Sequence, residues 1–352
     1  MKVLLTGYNG YIGTVMAPIL LEAGHEVIGL DTDLFVGSTF GEENITRNIP
    51  SIKKDIRDID VSDLDGCDAI IHLAGLSNDP LGDLNPDLTY EINHLSSVRL
   101  AELAKSAGIS RFIFASSCSN YGAAGDSILT EEAGFNPVTP YGISKVRVEQ
   151  DVSRLADDGF SPTFMRSATA YGVSPRLRFD LVVNNLVAWA FTVGKVLIKS
   201  DGTPWRPLVH IEDMSWAFLA VLNAPRELVH NEAFNVGQTE ENYRISDIAD
   251  IVAEVVPNSV IEYAADASPD KRNYRVDCSK IRRVLPEFKP QWTVRKGAQQ
   301  LYDTYCRIGL RADEFEGPRY RRIDTIKHLI ASGRLDESLR WRDQRISLEA
   351  MP

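Results

Sequence analysis

The chain has 352 residues and a formal net charge of −11 at pH 7, with 44% hydrophobic and 25% charged residues. That length buries a large core, as one α/β domain or as a main domain with a smaller lobe. The acidic balance argues against a nucleic-acid or anionic-membrane surface, and no apolar run approaches the roughly 18–20 residues of a membrane span. Cys67, Cys118, Cys278 and Cys306 lack paired metal-ligand spacing. They read as reduced thiols of a cytoplasmic protein with no metal site. The first strand is too short, and too soon broken by Gly7, to read as a signal peptide.

In chain order, residues 2–6 read as a short buried strand. Gly7, Gly10 and Gly13 follow at three-residue spacing, and a helical pattern then runs through Ile12, Val15, Met16, Ile19 and Leu20 towards Gly24. Strand, glycine turn and helix N-terminus together make a seat for a pyrophosphate. The glycines admit close backbone approach, and the free N–H groups and helix dipole favour an anion. Residues 26–30 form a second strand ending at Asp31, eighteen positions past Gly13. An acid there accepts hydrogen bonds from the adenosine ribose and repels a 2′-phosphate, which selects NAD over NADP.

A polar stretch then leads through residues 51–54 into Asp55 and Ile56. Residues 69–73 are a buried strand ending at Ala74 and Gly75, and a loop through Ser77 and Asp79 precedes one long helix over 88–107. The next strand, 111–115, ends in Ser116-Ser117-Cys118-Ser119; a helix opens at Tyr141 and runs to about 156, and a strand covers 161–166. This alternation predicts a Rossmann-type, doubly wound parallel sheet in an α/β fold, with ligands at the carboxyl ends of its strands. Residues 1–170 are expected to form the dinucleotide-binding domain, with about 207–240 returning to it. Residues 171–312 form a discontinuous, smaller substrate lobe with helices over 184–193, 213–222 and 245–255. Residues 313–352 are a charged extension with Ile323, Ile326, Leu329 and Ile330 at helical spacing, read as a surface helix or oligomer contact outside the site.

Tyr141 and Lys145 lie four apart, on one face of a helix. A phenol with a pKa near ~10 is a poor base at neutral pH. A cation one turn away, together with a positively charged nicotinamide, brings the phenolate into range. Ser117, leaving the preceding strand, reaches the same substrate oxygen. These three residues form the catalytic candidate.

Thr-Gly-Tyr-Asn-Gly-Tyr-Ile-Gly (6–13), Asp31, Asp55-Ile56, His-Leu-Ala-Gly (72–75), Asn93, Ser-Ser-Cys-Ser-Asn-Tyr-Gly (116–122) and the Tyr141–Lys145 pair together resemble the extended short-chain dehydrogenases/reductases, in the NAD-dependent sugar-nucleotide epimerase/dehydratase family. The likeness spans most of residues 1–300. It implies an NAD cofactor held by Gly7, Gly10, Tyr11, Ile12, Gly13 and Asp31, with Asp55 and Ile56 facing adenine. Leu73, Ala74 and Gly75 line the cofactor, Asn93 supports its nicotinamide side, and Lys145 holds the ribose and tunes Tyr141. It also implies a nucleotide-diphosphate sugar as substrate and a homodimer built on the helix after Asp79 and the Tyr141 helix.

Similarity to UDP-galactose 4-epimerases places Asn185 on the nucleotide and Arg206 on the diphosphate. Thr169 stands where an amide often touches sugar. The second phosphate arginine aligns with Ala267, so Arg272 substitutes for it, or Arg176 and Arg178 do so from the other side. Ser77 and Cys118 complete the substrate set; a related fucose-forming branch uses a cysteine in such a Ser-Ser-Cys segment as an acid/base. A 4,6-dehydratase would carry an acid and a base where Cys118 and Ser119 stand. The reading is therefore epimerisation through a transient 4-keto intermediate. A 4-ketoreductase using NAD(P)H is the alternative, and a catalytically silent NAD-binding regulator is a remote one.

Overall fold

The computed structural model describes residues 1–41, 46, 48–268 and 272–342. In chain order the strands are β1 (Lys2–Thr6), β2 (Glu26–Asp31), β3 (Ser51–Lys53), β4 (Ala69–His72), β5 (Arg111–Ser117), β6 (Ala123–Leu129) and β7 (Ser161–Ser167). They continue with β8 (Thr169–Tyr171), β9 (Lys195–Ser200), β10 (Trp205–His210), β11 (Glu232–Val236), β12 (Asn242–Arg244), β13 (Val260–Ser268) and β14 (Asn273–Val276). Seven of them form one sheet in the order β11-β7-β5-β4-β1-β2-β3, parallel throughout. The sheet reverses its winding beside β1, and the crevice at such a switch point is where α/β folds take ligands. β11 pairs with β7, so a late segment does return to the early sheet.

Helices cover both faces, which is why β1 and β4 read as apolar runs without alternation. α1 (Gly13–Glu22) follows the glycine loop; α2 (Asp79–Leu84), α3 (Pro86–Thr89), α4 (Ser96–Ser106) and α5 (Pro140–Ser153) come next. α6 (Val182–Val193), α7 (Ile211–Asn223), α8 (Arg226–Val229), α9 (Ile245–Val255), α10 (Ser279–Val284), α11 (Val294–Ile308), α12 (Ala312–Phe315) and α13 (Arg322–Ala331) complete the set. One core layer joins Val3, Leu5, Met16 and Phe218 between the sheet and α1 with α7. The opposite layer joins Leu4, Ile70, Leu100 and Val152 under α4 and α5. A further apolar cluster gathers around α6, β9, α9 and α11. Val146 and Val152 of α5 are buried within the chain itself. No helix among the described residues is long and apolar enough to cross a membrane.

Two expectations are corrected. The single helix over 88–107 is instead α3, a π-helical segment Tyr90–Leu95 and then α4. Ser96 and Ser97 each return a hydroxyl to a carbonyl four residues back, and π-turns of this kind are common beside functional sites. The second correction concerns α13. Ile326 and Leu329 are fully buried in the same layer as Leu30 and Ile56, so this helix is part of the core and not a surface appendage. The portion of the 313–352 extension beyond residue 342 lies outside the described residues.

Candidate functional site

Two clefts meet above the carboxyl ends of β1, β4 and β5. The first is lined by Gly7, Gly10, Tyr11, Ile12 and Gly13 of the glycine loop, by Asp31, by Asp55 and Ile56, and by Leu73, Ala74, Gly75 and Ser77 after β4. Gly7 has φ +72°, and a Cβ there would lie 2.9 Å from the Ala74 nitrogen. A Cβ on Gly13 would meet the carbonyl oxygens of Gly7 and Tyr8 at 2.4 Å. The loop is thus packed backbone on backbone, and only glycine keeps it so. Asp55 is gripped by Arg57 through Nε and Nη2 at 3.0 and 2.6 Å.

Asn93 stands directly behind the cleft-lining Gly75, its Oδ1 2.9 Å from where a Cβ on that glycine would be. Its Oδ1 accepts from the Leu76 N–H at 2.7 Å and its Nδ2 donates to the Leu76 carbonyl at 2.9 Å. It therefore fixes the loop that follows β4, from a π-turn that brings the amide to the right depth.

Asp31 accepts from the backbone N–H groups of Asn9 and Asp33 at 3.2 and 2.9 Å. Burial, with the Asp33 carboxylate adding to it, pushes its carboxyl up from 3.8 to about 6. Dinucleotide affinity is therefore expected to weaken by about tenfold between pH 7 and pH 5, because an ionised carboxylate is the better acceptor for ribose hydroxyls. The linkage has the opposite sign for the free protein. With the folded pKa above the ordinary one, ionised Asp31 costs stability above pH 6, and that cost fades as pH falls towards 4. NADH fluorescence titrations at both pH values check this; equal affinity, or the same slope in Asp31→Asn, would refute it.

The second cleft is lined by Ser117, Tyr141, Lys145, Thr169, Arg206 and Arg272, and also by Asp79, Ser119, Ser167, Arg178 and Asp180. β5 ends at Ser117, which caps the following turn by accepting from the Ser119 N–H at 3.1 Å. α5 begins after Thr139, whose hydroxyl accepts from the Gly142 N–H at 3.2 Å and donates to Asp79 at 2.7 Å. With Pro140 at the first helical position, this cap fixes where Tyr141 enters the cleft. Lys145 is buried one turn on, its Nζ 5.8 Å from the Tyr141 ring centre and donating to the Ala115 carbonyl at 2.7 Å.

The electrostatics differ from the sequence expectation. Burial pushes the Tyr141 phenol up to about 12, while the Ser117 hydroxyl pulls it down. Burial pulls the Lys145 ammonium down to about 8. In the protein alone, then, desolvation outweighs the Ser117 hydrogen bond and the Arg178 charge, the two effects that pull the phenol down.

Cys118 is corrected outright. It is fully buried, its thiol donates to the Arg166 carbonyl at 3.1 Å, and burial pushes its pKa far up. The chain alternates at this point, so Ser117 and Ser119 face the cleft while Cys118 packs with Tyr121, Tyr274 and Val276. Behind it a buried Arg166–Glu149 ion pair, 2.7 Å, ties β7 to α5.

Arg206 and Arg272 line both this cleft and a third cavity with Asn185, Leu186, Ile198 and Ile245. They stand at the junction of the two. Arg272 is ion-paired to Asp79. The guanidinium of Arg206 lies 6.0 Å from the Tyr274 ring centre.

Residues 3–237 match the NAD dependent epimerase/dehydratase family. The chain belongs to that family. Its members share an NAD cofactor, and the glycine cradle and the open Asp31 carboxylate fit one. The UDP-glucose 4-epimerase of Bacillus subtilis (strain 168) is 26% identical over 328 residues, covering 86% of this chain and 94% of its own. Among solved structures, MoeE5 in complex with UDP-glucuronic acid and NAD has 25% identity and a TM-score of 0.75, over 87% of this chain and 99% of that one. TunA, an NAD-dependent NDP-hexosamine 5,6-dehydratase involved in tunicamycin biosynthesis, has 23% identity and a TM-score of 0.77, over 87% of this chain and 98% of that one.

Sequence reasoning missed several residues of this family member's clefts. Asp180 holds Arg178 at 2.8 Å, and Arg178 donates to Ser77 at 2.9 Å. The Arg-x-Asp spacing was the available signal. Ser167 carries a buried hydroxyl with no protein partner at the wall of the second cleft; its place two residues before Thr169 on an outgoing strand was the clue. Arg322, from α13, lines the first cleft, and nothing local in the sequence pointed to it.

Proposed function

We propose that the protein is an NAD-dependent epimerase that inverts a hydroxyl-bearing carbon of a nucleotide-diphosphate sugar through a transient 4-keto intermediate. The observation that carries this reading is the company Tyr141 keeps. Ser117 and Lys145 share its wall, while the carboxylates of that cleft, Asp79 and Asp180, are each paired to an arginine. Elimination of water needs an acid and a base beside the reacting carbon, and the position after Ser117 holds a buried thiol.

Tyr141 takes the proton from the sugar hydroxyl and later returns it, Ser117 donates to the same oxygen, and Lys145 holds the ribose and the phenolate charge. NAD, when bound, supplies the place where a hydride is parked and from which it comes back. Arg206 and Arg272 clamp the diphosphate as planar, permanently charged forks, and Asn185 sits on the nucleoside side. Ser77, Ser167 and Thr169 offer the sugar small hydroxyls at that wall, which suits a loose hold that lets the keto sugar turn over. Free Cys67, Cys118, Cys278 and Cys306 suit a cytoplasmic protein. Exposed Leu95, beside α4, suits a homodimer built on that face.

Purified protein incubated with UDP-glucose, UDP-glucuronic acid and other nucleotide sugars is expected to approach an equilibrium of two epimers with no net change at 340 nm. Stoichiometric NADH consumption on a 4-keto sugar would replace this reading with a ketoreductase.

A further inference from the structure

Arg322 opens α13 and is 2% exposed. Its guanidinium lies 4.2 Å from the Phe35 ring centre, and its Nη2 donates to the Arg176 carbonyl at 2.8 Å. Its Nη1 is buried with no partner, and the side chain forms part of the wall of the first cleft, with Gly10, Tyr11 and Arg178. Among the described residues no carboxylate pairs with it. A buried guanidinium without a counter-ion is costly, so a site that keeps one is a site shaped for an anion.

Arg178 tells where that anion lies. It lines both the first cleft and the second, so it marks the passage between them. Arg322 feels Arg178 and Asp180 and also Arg176 and Asp31, so it lies along the first cleft between that passage and Asp31. A dinucleotide spanning the two clefts must pass its pyrophosphate through there.

The segment bearing Arg322 is fastened on both sides. Arg319 and Tyr320 donate to the Thr39 carbonyl at 2.9 and 3.2 Å. Arg57 donates to the Ser338 carbonyl at 2.9 Å, and the Trp341 indole donates to the Thr32 carbonyl at 2.6 Å. Leu339 joins Arg322 in lining the cleft.

We propose that Arg322 binds the pyrophosphate of the cofactor, and that residues 318–342 form the outer wall of the cofactor site and retain NAD through successive turnovers. The proposal rests on the NAD reading above and adds to it a binding residue beyond the matched 3–237.

The test compares full-length wild type, Arg322→Gln and Arg322→Lys, each stripped of retained cofactor, by calorimetric titration with NAD, ADP-ribose, adenosine and NADPH, and by thermal unfolding with and without NAD. R322Q is expected to bind NAD and ADP-ribose about tenfold to a hundredfold more weakly, with adenosine unchanged, as loss of a charged hydrogen bond to phosphate requires. R322K should recover part of that loss, and the NAD-induced rise in unfolding temperature should shrink in R322Q. Wild-type affinity for ADP-ribose in R322Q, or R322K weaker than R322Q, would overturn the proposal. So would a loss confined to NADPH, which would put Arg322 on a 2′-phosphate. A wild type that releases no NAD on denaturation and, once stripped of cofactor, binds no dinucleotide would overturn the cofactor reading itself, a distinct result from unchanged NAD binding in R322Q.

Discussion

Replacing Tyr141 with phenylalanine is expected to lower epimer interconversion by about 10³-fold, within the range for loss of one general acid–base, while NAD affinity stays within about threefold. The ring remains and only the hydroxyl goes, so the packing that seats α5 is kept: Thr139 still caps the helix and Gly82 still abuts the Tyr141 backbone, 3.2 Å from where its Cβ would be. What disappears is the hydroxyl that moves the sugar proton, while Lys145 keeps its bond to the Ala115 carbonyl. Initial rates with the best substrate of the nucleotide-sugar panel, alongside NADH fluorescence titration, separate the two effects. Near-normal rates in Tyr141→Phe would remove the phenol from the mechanism. Equal loss of rate and of NAD binding would make Tyr141 a residue of the cofactor seat alone.

Gly13→Ala should do the converse, striking the cofactor before the chemistry. The added Cβ would lie 2.4 Å from two backbone carbonyl oxygens, those of Gly7 and Tyr8, and neither can rotate away as a side-chain tip would. The loop must open, at a cost of about 1–3 kcal/mol of folding stability. The N–H groups that would face the pyrophosphate then lose their alignment, for a loss of about a hundredfold in NAD affinity. Gly24→Ala is the control. Unlike Gly13, Gly24 has a positive φ, +83°, and nothing lies within 4 Å of its Cβ position, so alanine there should cost a little stability and no affinity. If Gly13→Ala binds NADH as wild type does, the loop is not the tight seat described here.

Much of this arrangement could be read from the chain itself because its causes are local. A buried strand, a glycine turn and a helix start announce themselves within thirteen residues, and the Tyr141–Lys145 spacing is fixed by helix geometry. Cys118 was misplaced for want of a local detail. Which of four successive residues faces the cleft depends on the turn at the end of β5, and the buried Arg166–Glu149 pair behind it carries no spacing signature. The hold of Asn93 on the Leu76 backbone was not legible, since the π-turn that sets its depth has no strong sequence signal. Arg322 was invisible for a different reason. Its meaning comes from contacts with Arg176 and Phe35, which lie far away along the chain, and charged helical spacing alone resembles an ordinary surface helix.

The clasps of residues 318–342 on the sheet edge also set an order of assembly. The bonds from Arg57 to Ser338 and from Trp341 to Thr32 close loops of 281 and 309 residues, whereas β1, the glycine loop and β2 meet within about thirty. Long-range closures form late, after nearer contacts have repaid their entropy. During synthesis the glycine loop is therefore among the first parts to take shape, and the wall opposite it among the last. On that ordering a newly made chain is expected to reach a stage in which the sheet is folded and its dinucleotide groove is still open on one side, and NAD binding by a chain truncated before residue 318 would check it. That stage is the natural moment for the cofactor to enter.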